Sequence, residues 1–121
     1  MLIEISGNIL LCSQNPLLTK ELYGPLRDSG YRVEISEHAA EAIKCILGKH
    51  YLAVILDSSD VGLNVIEAVN IIKSLSPDIY IFVVGEHDNT ADVYSVKRPE
   101  DLERLVEFIN NLPSLKVTAR S

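Results

Sequence analysis

The sequence predicts an α/β domain in which a parallel sheet is covered by helices on both faces, and three observations carry that expectation. Short apolar runs alternate along the chain with segments of helical period, the pattern of strands joined by crossover helices. Runs such as Ala53 to Leu56 and Ile81 to Val84 are apolar at every position rather than at every second one, as strands buried on both sides require. At 121 residues, 47% hydrophobic and 23% charged, the chain has the length and composition of one ordinary domain with one core.

Strands are expected near 8–12, 31–36, 51–57, 79–84 and 93–97, with helices near 16–29, 37–48, 64–75 and 99–112. Helix boundaries agree with the local chemistry. Asn15-Pro16 opens the first helix, Asn64 can cap the third, Pro99 suits the first turn of the last, and Gly30 and Gly48 end the first two. Apolar stripes at 3-4 spacing follow: Ala39, Ile43, Ile46 and Leu47 in the second helix, Val65, Val69, Ile72 and Leu75 in the third, and Leu102, Leu105, Val106, Ile109 and Leu112 in the last. Gly24-Pro25 runs against this pattern, because proline cannot donate the backbone bond there, and predicts a kink or break near Gly24.

Residues 85–92 alone separate the fourth and fifth strands, too few for the usual helical crossover. A loop or single turn can still make the return, since eight extended residues reach roughly 26 Å and a five-residue strand is about 17 Å long. The fourth helix is therefore expected to be missing or shortened. Met1 to Ile5 is too apolar for a free tail and is expected to add an edge strand or pair with another chain. Residues 113–121 lose the helical period and read as a tail or linker, leaving a single domain with its core at about 8–112.

Seventeen acidic residues against 11 basic ones give a formal charge of -6, which repels phosphate backbones and argues against this domain binding nucleic acid by itself. No apolar run approaches the roughly 18 residues of a membrane span, and no secretory leader pattern precedes the first strand, so no membrane role and a cytoplasmic location are expected. Cys12 and Cys45 have no further cysteine or histidine at ligand spacing and read as buried free thiols rather than a zinc site. His38 and His50 fall where surface residues fall. No Ser-His-Asp ordering and no glycine-rich phosphate loop is present, so an enzyme is not expected.

Open parallel sheets bind ligands outside the carboxyl ends of their strands. Ser13, Gln14, Asp57, Ser58, Gly85 and Lys97 land there, with Ser59 and Asp60 in the loop that follows Asp57. Together with the element order, the entry of Ile9-Leu10-Leu11 into Asn15-Pro16, Gly62 five residues after Asp57, and Tyr94 three residues before Lys97, these residues carry a resemblance. The chain resembles the receiver domains of two-component response regulators over roughly residues 8–112. The resemblance implies a flavodoxin-like three-layer sandwich with a five-stranded sheet of order 2-1-3-4-5.

It also implies roles at the site. Asp57 matches the phosphoacceptor, Lys97 the lysine that neutralises charge, and Tyr94 the aromatic that reports the state of the site, although Tyr94 also reads as a core or interface aromatic. The acidic pair that holds Mg²⁺ in that family falls on Ser13 and Gln14, the hydroxyl ending the fourth strand falls on Gly85, and the proline is displaced because Arg98 follows Lys97 directly. The expectation is a degenerate, pseudo-receiver signalling module that meets a protein partner or a second copy of itself without Mg²⁺-dependent phosphorylation. In it Asp57 is held by Lys97, and no metal or other cofactor is needed. One alternative is a working phosphoacceptor in which Asp60 or Glu86 recruits Mg²⁺; another is a small-ligand site lined by Ser13, Gln14, Ser58 and Gly85.

Overall fold

Five short strands form because β-branched and leucine-rich runs can be covered on both faces only when they hydrogen-bond to one another in a sheet. They are β1 (Asn8–Cys12), β2 (Arg32–Ser36), β3 (Ala53–Asp57), β4 (Tyr80–Val84) and β5 (Tyr94–Val96), and they pair in parallel in the expected order β2-β1-β3-β4-β5. This computed structural model describes residues 7–58, 65–85, 94–96 and 102–120, with backbone alone at 94–96 and 112–120. Ile9 sits opposite Val33 on one side and Ala53 on the other, so β1 is paired on both sides near the middle of the sheet. The described elements run from β4 directly to β5, and the expected loss of the fourth helix falls on residues 86–93, outside the described residues.

Strand side chains alternate between faces, and the core divides accordingly. Leu10, Cys12, Val54, Leu56, Ile81 and Val83 pack with α2 (Ala39–Gly48) and α3 (Val65–Leu75). Ile9, Leu11, Ala53, Ile55 and Phe82 pack with α1 (Pro16–Asp28) and α4 (Leu102–Arg120). The helical stripes meet them largely as the spacing predicts, with Leu102, Leu105 and Ile109 of α4 buried and Val106 partly so. Leu47 and Leu75, assigned to stripes by spacing, are instead exposed, and Ala42 and Ala68 take the buried places. Both leucines lie in the last turns of their helices, near the edge of what the sheet can cover.

Helix α1 runs unbroken through Gly24 and Pro25, where the sequence predicts a kink or a break; no break occurs. Pro25 has no N–H for the carbonyl four residues earlier, but Pro25 and Glu21 both lie on the exposed side, while Leu22 and Leu26 are buried and hold this part of the helix to the core. The helix ends in a Schellman arrangement: Gly30 at φ +100° donates to Arg27 O at 2.9 Å, and Tyr31 N donates to Leu26 O at 3.2 Å. Gly48, by contrast, is the last helical residue of α2 and is followed by the extended Lys49. At the edge strand, Glu34 is ion-paired with Lys49 and accepts a hydrogen bond from Tyr51 Oη at 2.6 Å. Lys49, then Tyr51, holds the Glu34 carboxyl below its ordinary range, and burial followed by the neighbouring Glu34 pushes the Tyr51 phenol up.

Helix α4 runs to Arg120, past the point at which the period is lost and a tail or linker was expected. Proline at position 113 has no N–H, so it cannot donate to the carbonyl four residues earlier, that of Ile109. Tyr31 supplies the missing donor: its buried Oη lies 2.9 Å from Ile109 O, across 78 residues of sequence. The Tyr31 ring also lies over Gly7, where a Cβ would come within 2.2 Å of it. No helix among the described residues is long and apolar enough to cross a membrane.

Tyr31→Phe leaves the Ile109 carbonyl buried without its donor and is expected to cost about 1–3 kcal/mol in chemical denaturation. In a Pro113→Ala background, where a backbone N–H is restored, the same substitution is expected to cost clearly less. Equal costs in the two backgrounds would show that the hydroxyl does not replace the helical bond.

Candidate functional site

The carboxyl ends of β1, β3 and β4 bring Ser13, Asp57, Ser58 and Gly85 to one edge of the sheet, because parallel strands place all their ends on the same side. Asp57 closes β3 and is buried, with 5% of its surface exposed. Ser13, just past the end of β1, is buried as well and donates from Oγ to Asp57 Oδ2 at 2.8 Å. The same hydroxyl accepts from Asn15 N at 3.0 Å, while Ser13 N donates to Ser36 O at 3.0 Å. The segment after β1 is thus tied to β2 through its backbone and to β3 through its side chain.

Gln14, the other residue at the acidic-pair position, turns away. It is exposed, and its Nε2 lies 3.1 Å from Nδ1 of His38, which precedes α2. His38 is exposed, as expected, but its link to Gln14 has no counterpart in local sequence pattern, since the two residues belong to different loops. Ser36 Oγ contacts His38 O at 2.9 Å and Glu41 Oε1 at 3.2 Å, and Glu41 also accepts from Glu37 N, which fixes the start of α2 beside the site. Cys12 is buried next to these groups as predicted, whereas Cys45 is only half-buried. Burial pushes the Cys12 thiol up to about 11; the hydrogen bond with Ser36 opposes this and the charges of Asp57 and Glu41 add to it. At neutral pH Cys12 is a neutral thiol and not a nucleophile.

Ser58 and Gly85 meet face to face. Ser58 N donates to Val84 O at 2.9 Å, and Gly85 has φ +104°, a conformation that L side chains rarely adopt. A Cβ at position 85 would lie 2.4 Å from Ser58 Oγ. The Ser58 hydroxyl therefore fills the space that a side chain ending β4 would need, a compensation between neighbouring strands that their separation in sequence conceals.

Asp57 makes contacts beyond the bond with Ser13. Its expected pairing with Lys97 lies outside the described residues, as do Ser59, Asp60, Glu86, His87 and Asp88. Tyr94 begins β5 opposite Phe82, with only its backbone described. Among the described residues no three His, Cys, Asp or Glu side chains gather where they could hold a metal ion. The donor chemistry points the same way: Asp57 is a single carboxylate, Ser13 spends its proton on that carboxylate and a lone pair on Asn15 N, and Gln14 is turned to His38. The described residues do not fit Mg²⁺, which is usually held through one or two carboxylates in near-octahedral geometry.

Gly85→Ser is expected to destabilise the fold by about 1–3 kcal/mol through backbone strain together with the contact on Ser58. A Ser58→Gly background should remove the steric part and leave the backbone part, which denaturation midpoints of the four variants would separate. An unchanged midpoint in Gly85→Ser would refute the crowding described above.

No protein-family model matches the sequence, and no curated protein matches it. Solved structures do. A response regulator receiver domain protein (CheY-like) from Methanospirillum hungatei JF-1 superposes with a TM-score of 0.82 at 17% identity, covering 94% of this chain and 98% of its own. A response regulator from Burkholderia pseudomallei, described with a phosphorylated aspartic acid, a calcium ion and citrate, gives 0.73 at 18% identity over 95% of this chain and 72% of its own. The receiver domain of the sensor histidine kinase PA1611 from Pseudomonas aeruginosa PAO1, described with a magnesium ion in the active site cleft, gives 0.70 at 19% identity over 88% and 98%. At these identities the likeness is one of architecture, and the chain has the flavodoxin-like fold of the response-regulator receiver domains.

Proposed function

We propose that the chain is a receiver-like signalling module that acts by protein–protein contact and does not use Mg²⁺-dependent phosphorylation of Asp57. The observation that carries this reading is the bond from Ser13 Oγ to Asp57 Oδ2 at 2.8 Å. Where the receiver resemblance calls for a carboxylate that shares a cation with the acceptor, this chain has a hydroxyl that donates directly to it. Phosphoryl transfer depends on neutralising charge as it develops, so a site without the cation lacks the main source of rate. Gly85 supports the same reading, since no hydroxyl ends β4 and the neighbouring Ser58 occupies the space.

A working phosphoacceptor is the second reading. It is favoured by the place of Asp57, a buried carboxylate at the carboxyl end of the central β3, and by the phosphorylated aspartate and the magnesium ion described for two proteins of the same fold. The small-ligand reading has less support, because Ser13 engages Asp57, Gln14 engages His38 and Ser58 lies against Gly85. In the preferred reading the module works in the cytoplasm, is not an enzyme, and meets a protein partner or a second copy through α4 or the apolar segment before β1.

Incubation with a small phosphodonor and Mg²⁺, followed by intact-mass measurement, is expected to leave the mass unchanged. An adduct that disappears in Asp57→Ala would overturn the preferred reading in favour of the second. For self-association, size-exclusion chromatography with light scattering is expected to show a mass rising towards the dimer with concentration; a strict monomer at high concentration would leave only a different protein as partner.

A further inference from the structure

We propose that a hydrogen-bond relay through Ser13 couples Asp57 to helix α1 and, at the far end of that helix, to α4, so that a chemical change at Asp57 is felt first at the start of α1. The first link is Ser13 Oγ to Asp57 Oδ2 at 2.8 Å, between two buried residues. The second is Asn15 N to Ser13 Oγ at 3.0 Å. Asn15 is the N-cap of α1: its Oδ1 accepts from Leu17 N at 3.0 Å and from Leu18 N at 3.5 Å, and its carbonyl accepts from Thr19 N at 3.0 Å. Three consecutive acceptors thus connect the carboxylate at the end of β3 with the first-turn amides of a helix on the sheet face.

The relay has direction because each hydroxyl or amide has one proton to give. While Asp57 is an anion, the Ser13 proton points at Oδ2, which leaves the Ser13 lone pairs aimed at Asn15 N–H and makes that bond stronger. If Asp57 loses its charge, or Oδ2 ceases to accept, the Ser13 proton has no charged acceptor there and the hydroxyl can rotate. The Asn15 bond weakens with it, and with it the cap.

From its first turn α1 carries the change onward as a rigid element. Leu18, Leu22 and Leu26 bind it to the cluster that includes Leu102, Leu105 and Ile109 of α4. Its last turn leads through the Gly30 arrangement into Tyr31, whose Oη bonds Ile109 O. Leu17, in the first turn, is 72% exposed, so the responsive end of α1 lies where a partner can read it. The relay does not depend on whether Asp57 accepts a phosphoryl group; it requires only that the carboxylate be the acceptor for Ser13.

Amide hydrogen exchange on the full chain tests it. Asp57→Ala is expected to speed exchange at the Leu17 and Leu18 amides about fivefold, the size of losing a cap, with the α3 amides of Val69 and Ile72 unchanged. Ser13→Ala should give the same rise at the same two amides, and the double variant no more than either single one, because both cut one chain. Asp57→Asn keeps an acceptor without the charge, is expected to give about a twofold rise, and serves in the cycle if Asp57→Ala does not fold. Equal acceleration in α1 and α3, additive effects in the double variant, or no change at Leu17 and Leu18 would each overturn the relay.

Discussion

Complete burial of the central strands is the constraint on which the rest of this structure depends. β1 and β3 have helices on both faces and strands on both sides, and almost every one of their side chains is apolar and inaccessible. A strand so placed can carry polar chemistry only at its ends, and any polar group just inside those ends must find its partner within the protein. Asp57 and Ser13 stand at two such ends and are joined by a hydrogen bond. The same constraint acts on Ser36, also buried at the end of β2, whose hydroxyl turns to the start of α2. Among the described residues no buried side-chain nitrogen or oxygen is left without a partner, as this burial demands.

The helices are held by a second set of local compensations. Two prolines interrupt helical bonding, and the protein deals with them differently. Pro25 lies on the exposed side of α1, away from the core. The proline of α4 leaves the Ile109 carbonyl facing the core, and Tyr31 reaches it from the turn between α1 and β2. Since Tyr31 is itself placed by the end of α1 and by Gly7, the covering of one sheet face depends on a tyrosine that belongs to neither helix. Helices α1 and α4 thus cover one face of the sheet together, while α2 and α3 enclose the opposite face.

The likeness to receiver domains is one of architecture. Architecture alone does not assign a function, which rests on the groups gathered at the strand ends. What the chain keeps is the geometry that brings three strand ends together. At those ends a serine hydroxyl donates to the carboxylate, and the space beside a glycine is taken by its neighbour.

Much of this was legible in the linear sequence, and the physical reason is that strand and helix periods are local. Continuous apolar runs located the strands to within one or two residues, Asn15-Pro16 and Gly30 marked the ends of α1, and Asp57 was recognisable from its place where a buried strand ends. Only tertiary structure decided the partners. Ser13 and Asp57 are 44 residues apart, Gln14 and His38 are 24 apart, and Tyr31 and Ile109 are 78 apart, distances over which no periodicity carries information. Ser58 and Gly85 belong to neighbouring strands, and their steric exclusion exists only once those strands pair. The continuity of α1 through Pro25 was likewise a matter of packing, because the core contacts of Leu22 and Leu26 outweigh one lost backbone bond. The sequence by itself determined which residues stand at the strand ends; the folding of those ends against one another determined which of them touch Asp57.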